Sequence, residues 1–234
     1  MSYFITGTDT DVGKTLISCA LLHAFAAQGK SVAGFKPVAA GCDECDHNDD
    51  AKVLRAASSL RLTYGQVNPY CFPHAIAPHL AARHAGVRIE FKRILTSYRE
   101  LAGQADEVIV EGAGGFLVPL NDKQTSADLA KALDLPVILV VGMRLGCLNH
   151  ALLTMSAIAV HQLECAGWVA NVLDADMPAL QENIDTLRER IAAPLLGVVP
   201  HMAQPDAKAA AGCLDMGLLE RKTSDPQITQ IHAD

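Results

Sequence analysis

The residues best placed to do chemistry begin with the stretch GTDTDVGKT, positions 7–15, which ends in Gly-Lys-Thr. At the start of a helix, that triplet directs backbone N–H groups, an ammonium and a hydroxyl toward one point. The set suits a polyphosphate and a divalent cation. Lys14 would neutralise β- and γ-phosphate oxygens, and the Thr15 hydroxyl would ligate magnesium. The common pattern G-x-x-x-x-G-K-[ST] places a glycine at position 8. Thr8 stands there instead, and Gly7 comes one residue early. Gly7 and Gly13 still frame the turn.

Other candidates lie downstream. Lys36, in GFKPV, ends a strand that should finish near the phosphate loop. An extra cation there suits a reaction that develops negative charge; a surface lysine before a turn fits the spacing equally. Glu111 closes DEVIVE at the carboxyl end of a buried strand, where a carboxylate can hold magnesium. The following EGAGG turn lets backbone approach a ligand. Asp50 opens a helix, and both a metal ligand and an N-cap fit it. Asn171 ends another strand, where its amide could meet a base edge or shape a turn. Cys42 and Cys45 form C-x-x-C with His47 nearby, short of the four ligands of structural zinc. His150, opening an apolar helix, reads as a packing or capping residue.

These residues need a scaffold, and the hydrophobic pattern supplies one. Strands are expected at 2–6, 31–38, 106–112, 136–142, 167–173 and 194–200. Helices are expected at 14–28, 49–58, 90–103, 125–133, 147–163 and 178–191, the first stopped by Gly29. Residues 60–90 read as irregular, with a short helix near 78–85. Several strands are continuous Val/Ile/Leu runs alternating with helices, which means a mostly parallel sheet covered on both faces. The expectation is one α/β domain over 1–234, with 220–234 a loose tail. Ligands in such sheets sit at the carboxyl ends of the strands.

Of the 234 residues, 50% are hydrophobic and 19% charged, ample for a buried core. The net charge is −7 with no Lys/Arg cluster, which disfavours a nucleic-acid partner. The longest apolar run, PVILVVGM, is far short of the ~20 residues of a membrane helix. The first residues lack the basic region and cleavage pattern of a secretion signal. A cytoplasmic protein is expected, its seven cysteines reduced thiols.

Taken together, GTDTDVGKT, GFKPVAAG, VEGAGG, PVILVVGMRLGCLNHALLT, AGWVAN and APLLGVVP resemble the dethiobiotin synthetases, across residues 7–200. The resemblance implies a single-domain P-loop NTPase-type fold. It implies ATP- and magnesium-dependent closure of a cyclic urea from 7,8-diaminononanoate and CO2. It also implies a homodimer with its substrate site at the subunit interface. Lys14 and Lys36 match the catalytic lysines, and Thr15, Asp50 and Glu111 the magnesium ligands. Asp11, Val12, Gly13, Lys14, Thr15 and Leu16 match the ATP loop, and Glu111, Gly112, Ala113 and Gly114 a second ATP-binding turn. Asn171 and Val172 match the adenine side, with Pro200, His201, Met202 and Asp206 beyond them. On the substrate side the resemblance implies Thr10 and Ala40. Gly146, Cys147, Leu148 and Asn149 match a helix start that takes the substrate carboxylate from the neighbouring subunit, a position that suits an anion. Two features depart from the family: Ala40 stands where relatives often carry serine, and the loop at 42–49 is acidic and bears cysteine. Septum-positioning and partition ATPases share this kind of loop but carry a lysine where this chain has Asp9. Cobyrinate amidases carry a glutamine-hydrolysing domain, for which 234 residues leave no room.

Overall fold

A computed structural model describes residues 2–43 and 47–220 of the chain. The tail expected to be loose lies outside the described residues from position 221 onward, as does Cys45. The elements run β1 (Tyr3–Gly7), α1 (Lys14–Ala27), β2 (Val32–Phe35), β3 (Val38–Ala40), α2 (Asp49–Ala57), α3 (Tyr64–Val67), β4 (Tyr70–Phe72), α4 (Pro78–His84) and α5 (Phe91–Ala102). They continue β5 (Glu107–Glu111), α6 (Ser126–Leu133), β6 (Val137–Met143), α7 (Cys147–Val160), β7 (Cys165–Val172), α8 (Leu180–Arg190), β8 (Leu195–Val199), α9 (Ala207–Ala211) and α10 (Gly217–Glu220).

Six strands form one sheet in the order β2-β5-β1-β6-β7-β8, with every pairing parallel. The uninterrupted apolar strands follow from burial on both faces. Ile138 and Val140 of β6 belong to one core, whereas Leu139, Val141 and Met143 belong to another. Val169 and Trp168 of β7 divide in the same way. Since neighbouring side chains of a strand point to opposite faces, two cores mean two covered faces. The chain crosses from β5 to β6 on either side of β1, which makes the carboxyl end of β1 the switch point where a crevice opens.

Local signals set the helix ends. The Thr125 hydroxyl accepts from the Asp128 N–H, and the Asp128 carboxylate accepts from the Thr125 N–H at 2.7 Å. This capping box contributes about 1 kcal/mol to starting α6. Gly13 and Gly146 precede α1 and α7 with φ of 91° and 92°, a left-handed conformation that glycine adopts without a steric penalty.

One expected strand is different. The stretch 31–38 is not continuous: β2 stops at Phe35, and β3 begins at Val38 in a separate two-stranded sheet with β4. Pro37 has no N–H to extend a ladder, and the Lys36 N–H instead bonds the Val67 carbonyl at 2.8 Å. Within 60–90 the short helix expected near 78–85 is α4, and the part read as irregular also contains α3 and β4. The expectation of reduced thiols is also corrected. The small sheet pairs Ala39 with Cys71 and Ala40 with Phe72, which delivers Cys42 to Cys71. The two form a disulfide across a Cα–Cα distance of 6.2 Å, within the usual reach. Among the described residues, Cys19, Cys147 and Cys213 are free thiols.

Candidate functional site

Parallel register brings the charged residues together. β2 pairs Phe35 with Val110 of β5, so the next residues outward are Lys36 and Glu111. β1 pairs Ile5 with Glu111, and the Gly112 N–H bonds the Ile5 carbonyl at 3.0 Å. The phosphate loop, leaving β1, therefore starts beside Glu111. Lys36 Nζ donates to Glu111 Oε1 at 2.5 Å, to Asp50 Oδ2 at 3.0 Å and to the Gly112 carbonyl at 3.3 Å. Thr15 Oγ1 donates to the same Glu111 Oε1 at 2.9 Å. Glu111 is fully buried, and its Oε2 is buried with no partner among the described residues.

Asp50 is not the helix cap. Asn48 fills that position, its side-chain oxygen accepting from the Ala51 N–H. The Asp50 carboxylate, in the first turn of α2, is left to reach Lys36.

Electrostatics follow this geometry. Burial lowers the Lys36 pKa, but the Glu111 and Asp50 carboxylates outweigh burial, and the ammonium sits above its ordinary value. Burial raises the Asp50 carboxyl, but Lys36, with Thr15 and Lys14 in support, holds it below the usual value. Lys14 behaves oppositely. Burial, then repulsion from Lys36, brings it from 10.5 to about 8 despite the nearby carboxylates. Its Nζ donates to the Asp9 carbonyl at 2.8 Å across the loop.

These groups line a cavity of about 740 Å³. Its lining includes Thr10, Asp11, Gly13, Lys14 and Thr15 of the loop, the Lys36–Asp50–Glu111 group, Ala113 and Gly114 of the following turn, and Ala40. Val12 is buried beneath the loop, and Leu16 packs against the core from the first turn of α1. Asn171 supports the loop from β7: its Nδ2 donates to the Val12 carbonyl at 2.9 Å. Val172 follows it in the strand. Pro200, His201 and Met202 follow β8, and Asp206 caps α9 through the Lys208 and Ala209 N–H groups. Gly146, Cys147, Leu148 and Asn149 open α7 but do not line this cavity in the single chain. His150 is exposed on α7, so it is not a packing residue here.

Sequence reasoning did not single out Asn48, Ala75–Pro78, Ala39 or Val118, which also line the cavity. An asparagine before two aspartates is a capping signal, and Pro78 is a helix-start signal. Neither reveals proximity to a ligand site. No cluster of three or more His, Cys, Asp or Glu suited to a metal occurs among the described residues; Cys45 of the C-x-x-C motif lies outside them, and Cys42 is engaged with Cys71.

Comparison with known proteins is decisive. A family model described as an AAA domain matches residues 1–209. The ATP-dependent dethiobiotin synthetase of Aromatoleum aromaticum is 53% identical over 216 residues, covering 91% of this chain and 96% of that protein. This chain belongs to the dethiobiotin synthetase family. The ATP-dependent dethiobiotin synthetase of Pseudomonas aeruginosa PAO1 is 52% identical over 219 residues, covering 92% and 96% of the two chains. Solved structures share the fold alone. The MinC:MinD cell division complex of Aquifex aeolicus matches with a TM-score of 0.56 at 13% identity, covering 96% of each chain. Cobyrinic acid a,c-diamide synthase from Mycobacterium smegmatis, with bound ATP analog and magnesium, matches with a TM-score of 0.51 at 18% identity, covering 90% of each.

Within the dethiobiotin synthetase family reading, Asp9 has a visible task. Its carboxylate pairs with Arg144, which follows β6 just before α7. The Thr10 N–H and then Arg144 keep that carboxyl below its ordinary pKa. The pair ties the phosphate loop to the start of α7. No helix among the described residues is long and apolar enough to cross a membrane.

Proposed function

We propose that this chain performs the reaction for which its relatives are named, converting 7,8-diaminononanoate, CO2 and ATP into dethiobiotin, ADP and phosphate. The observation that carries this reading is the meeting of Lys14, Lys36, Asp50 and Glu111 in one cavity beneath a helix N-terminus. A site that only held and released a nucleotide would need Lys14 and a metal ligand. A second, buried lysine adds positive charge where a carbamate would become a phosphorylated anhydride.

The donor set fits magnesium. Magnesium takes one or two carboxylates plus substrate phosphates rather than an all-protein cage. Thr15, Asp50 and Glu111 would hold it, and the unpartnered Glu111 Oε2 is a buried acceptor in need of a cation. When bound, it neutralises phosphate charge in the way that favours attack at the γ-phosphorus.

The chain's own groups do the rest. The N–H groups opening α1 orient the phosphates, and Lys14 leaves the Asp9 carbonyl to neutralise them. One amine of the substrate captures CO2 as a carbamate beside Lys36. A carbamate oxygen attacks the γ-phosphorus and ADP leaves. The second amine then attacks the carbonyl of the mixed anhydride, closing the ring and releasing phosphate. In this reading Lys36, already held charged between Glu111 and Asp50, supplies positive charge to the carbamate and its phosphorylated form. Asn171, Val172, Pro200–Met202 and Asp206 take the adenine side, and Thr10 and Ala40 the diamine side.

The dimer belongs to the same proposal. α7 buries only Cys147, Ala151 and Ile158, while Leu153 is 61% and Val160 78% exposed, and Leu145 beside it is wholly exposed. A second copy covering this face would carry its Gly146–Asn149 turn toward the first copy's cavity. Sedimentation should give a dimer, and a monomer at assay concentrations would contradict it. The reaction is tested by supplying diamine, MgATP and isotope-labelled bicarbonate. The label should appear in the ring carbonyl of dethiobiotin; its absence would overturn the reading.

A further inference from the structure

The Cys42–Cys71 bond sits at the end of a hydrogen-bond network that leads to the reacting groups. The hub is the Tyr64 hydroxyl, 3.4 Å from Cys71 Sγ. It accepts from the Asn48 N–H at 2.7 Å and donates to Asn68 Oδ1 at 2.8 Å. From Asn68, one arm reaches Lys36: Nδ2 donates to the Lys36 carbonyl at 2.6 Å and to the Tyr70 carbonyl at 3.0 Å. From Asn48, the other arm caps α2 two residues before Asp50 and holds the Ala40 and Gly41 carbonyls at 3.3 Å. The two arms meet again at the Lys36–Asp50 ion pair. Cys42 itself is held to β4 by its N–H on the Phe72 carbonyl at 3.1 Å. Both cysteines are part-exposed, within reach of a small reductant.

We propose that Cys42–Cys71 is a thiol–disulfide-responsive clamp that, through Tyr64, Asn48 and Asn68, positions Ala40 on the diamine side of the cavity and the Lys36–Asp50 pair beside it. The inference rests on the reaction proposed above. Opening the clamp is a two-electron exchange. A small dithiol attacks one sulfur, the S–S bond breaks, and two protein thiols form while the dithiol becomes a cyclic disulfide. Without the bond, Cys42 is tied to β4 through its N–H on the Phe72 carbonyl and no longer covalently, and the Tyr64 hub loses its fixed neighbour. Misplacing groups in a site by as little as about 1 Å acts strongly on turnover.

The test uses the full enzyme equilibrated with dithiothreitol at set ratios of reduced to oxidised form. The Cys42–Cys71 bond is quantified by alkylation and mass spectrometry. Reduction should weaken diamine binding by calorimetry at least ~5-fold, the lower end of ordinary coupling between sites. By linkage, saturating diamine must then shift the thiol–disulfide equilibrium toward the disulfide by the same factor. Tyr64→Phe, which keeps the disulfide, should bind diamine like the reduced enzyme and lose the redox dependence. The Cys42→Ser/Cys71→Ser enzyme should behave as reduced in every buffer. A bond whose reduction lowers thermal stability alone, with diamine affinity and redox equilibrium independent of one another, would overturn the clamp. If neither form makes dethiobiotin, the proposed reaction fails instead. The clamp is then judged by the same titration with MgADP, since Asp50 lines the cavity beside the phosphate loop, and a ligand-independent equilibrium would again reject it.

Discussion

Replacing Gly13 by alanine probes the contact between the phosphate loop and Asn171. Gly13 has φ +91°, and a Cβ there would lie 2.2 Å from Asn171 Nδ2. That amide is buried and donates to the Val12 carbonyl. Two costs follow. A left-handed alanine costs about 1 kcal/mol. Displacing the Asn171 amide breaks a buried hydrogen bond and adds about 1–3 kcal/mol. Gly29 separates the two, because it has φ +82° with nothing within 4 Å of its would-be Cβ. Gly29→Ala should therefore cost about 1 kcal/mol and Gly13→Ala about 2–4 kcal/mol in denaturant unfolding. Adding Asn171→Ala to Gly13→Ala should relieve part of the excess, read as a coupling energy in the double-mutant cycle. MgADP affinity should fall with Gly13→Ala and stay unchanged with Gly29→Ala. Equal destabilisation by the two alanines, or zero coupling to Asn171, would refute the assigned contact.

Two other expectations concern the lysines. Lys36→Met leaves the fully buried Glu111 without its ammonium, so stability should drop by about 3–5 kcal/mol. Turnover should fall at least ~100-fold if the charge stabilises the phosphorylated carbamate, measured on protein that circular dichroism shows to be folded. Lys14 has a depressed pKa, so the sign runs against a normal ion pair. Below about 8 it is charged in both folded and unfolded chains, and the burial cost is fully present. Between about 8 and 10.5 only the unfolded chain keeps the proton, so unliganded stability should rise with pH, by up to about 3 kcal/mol relative to Lys14→Met. A flat difference between wild type and Lys14→Met across that range would contradict the shift.

The sheet and its nucleotide-loop helix were legible because burial on two faces leaves continuous Val/Ile/Leu runs such as 136–142, and because Gly-Lys-Thr must open a helix to be useful. Strand ends pointed to Glu111 but left Lys36 open between a site and a surface lysine; parallel register is what places the two ends together. The rest depended on contacts distant in sequence. Asp50 stayed open between cap and ligand until Asn48 was seen to be the cap. The break at Pro37 was written in the sequence, but the pairing of β3 with β4 was not. That pairing brings together Cys42 and Cys71, 29 residues apart, which cysteine counting left as thiols. The apolar all-round character of α7 signalled burial, and a single chain leaves much of it uncovered.

The most direct test of the central claim is the rate of ADP release from MgATP, measured with and without 7,8-diaminononanoate and with and without bicarbonate. ADP should appear only when both are present, in amounts equal to the dethiobiotin formed. ADP released at the same rate from MgATP alone would contradict the assignment.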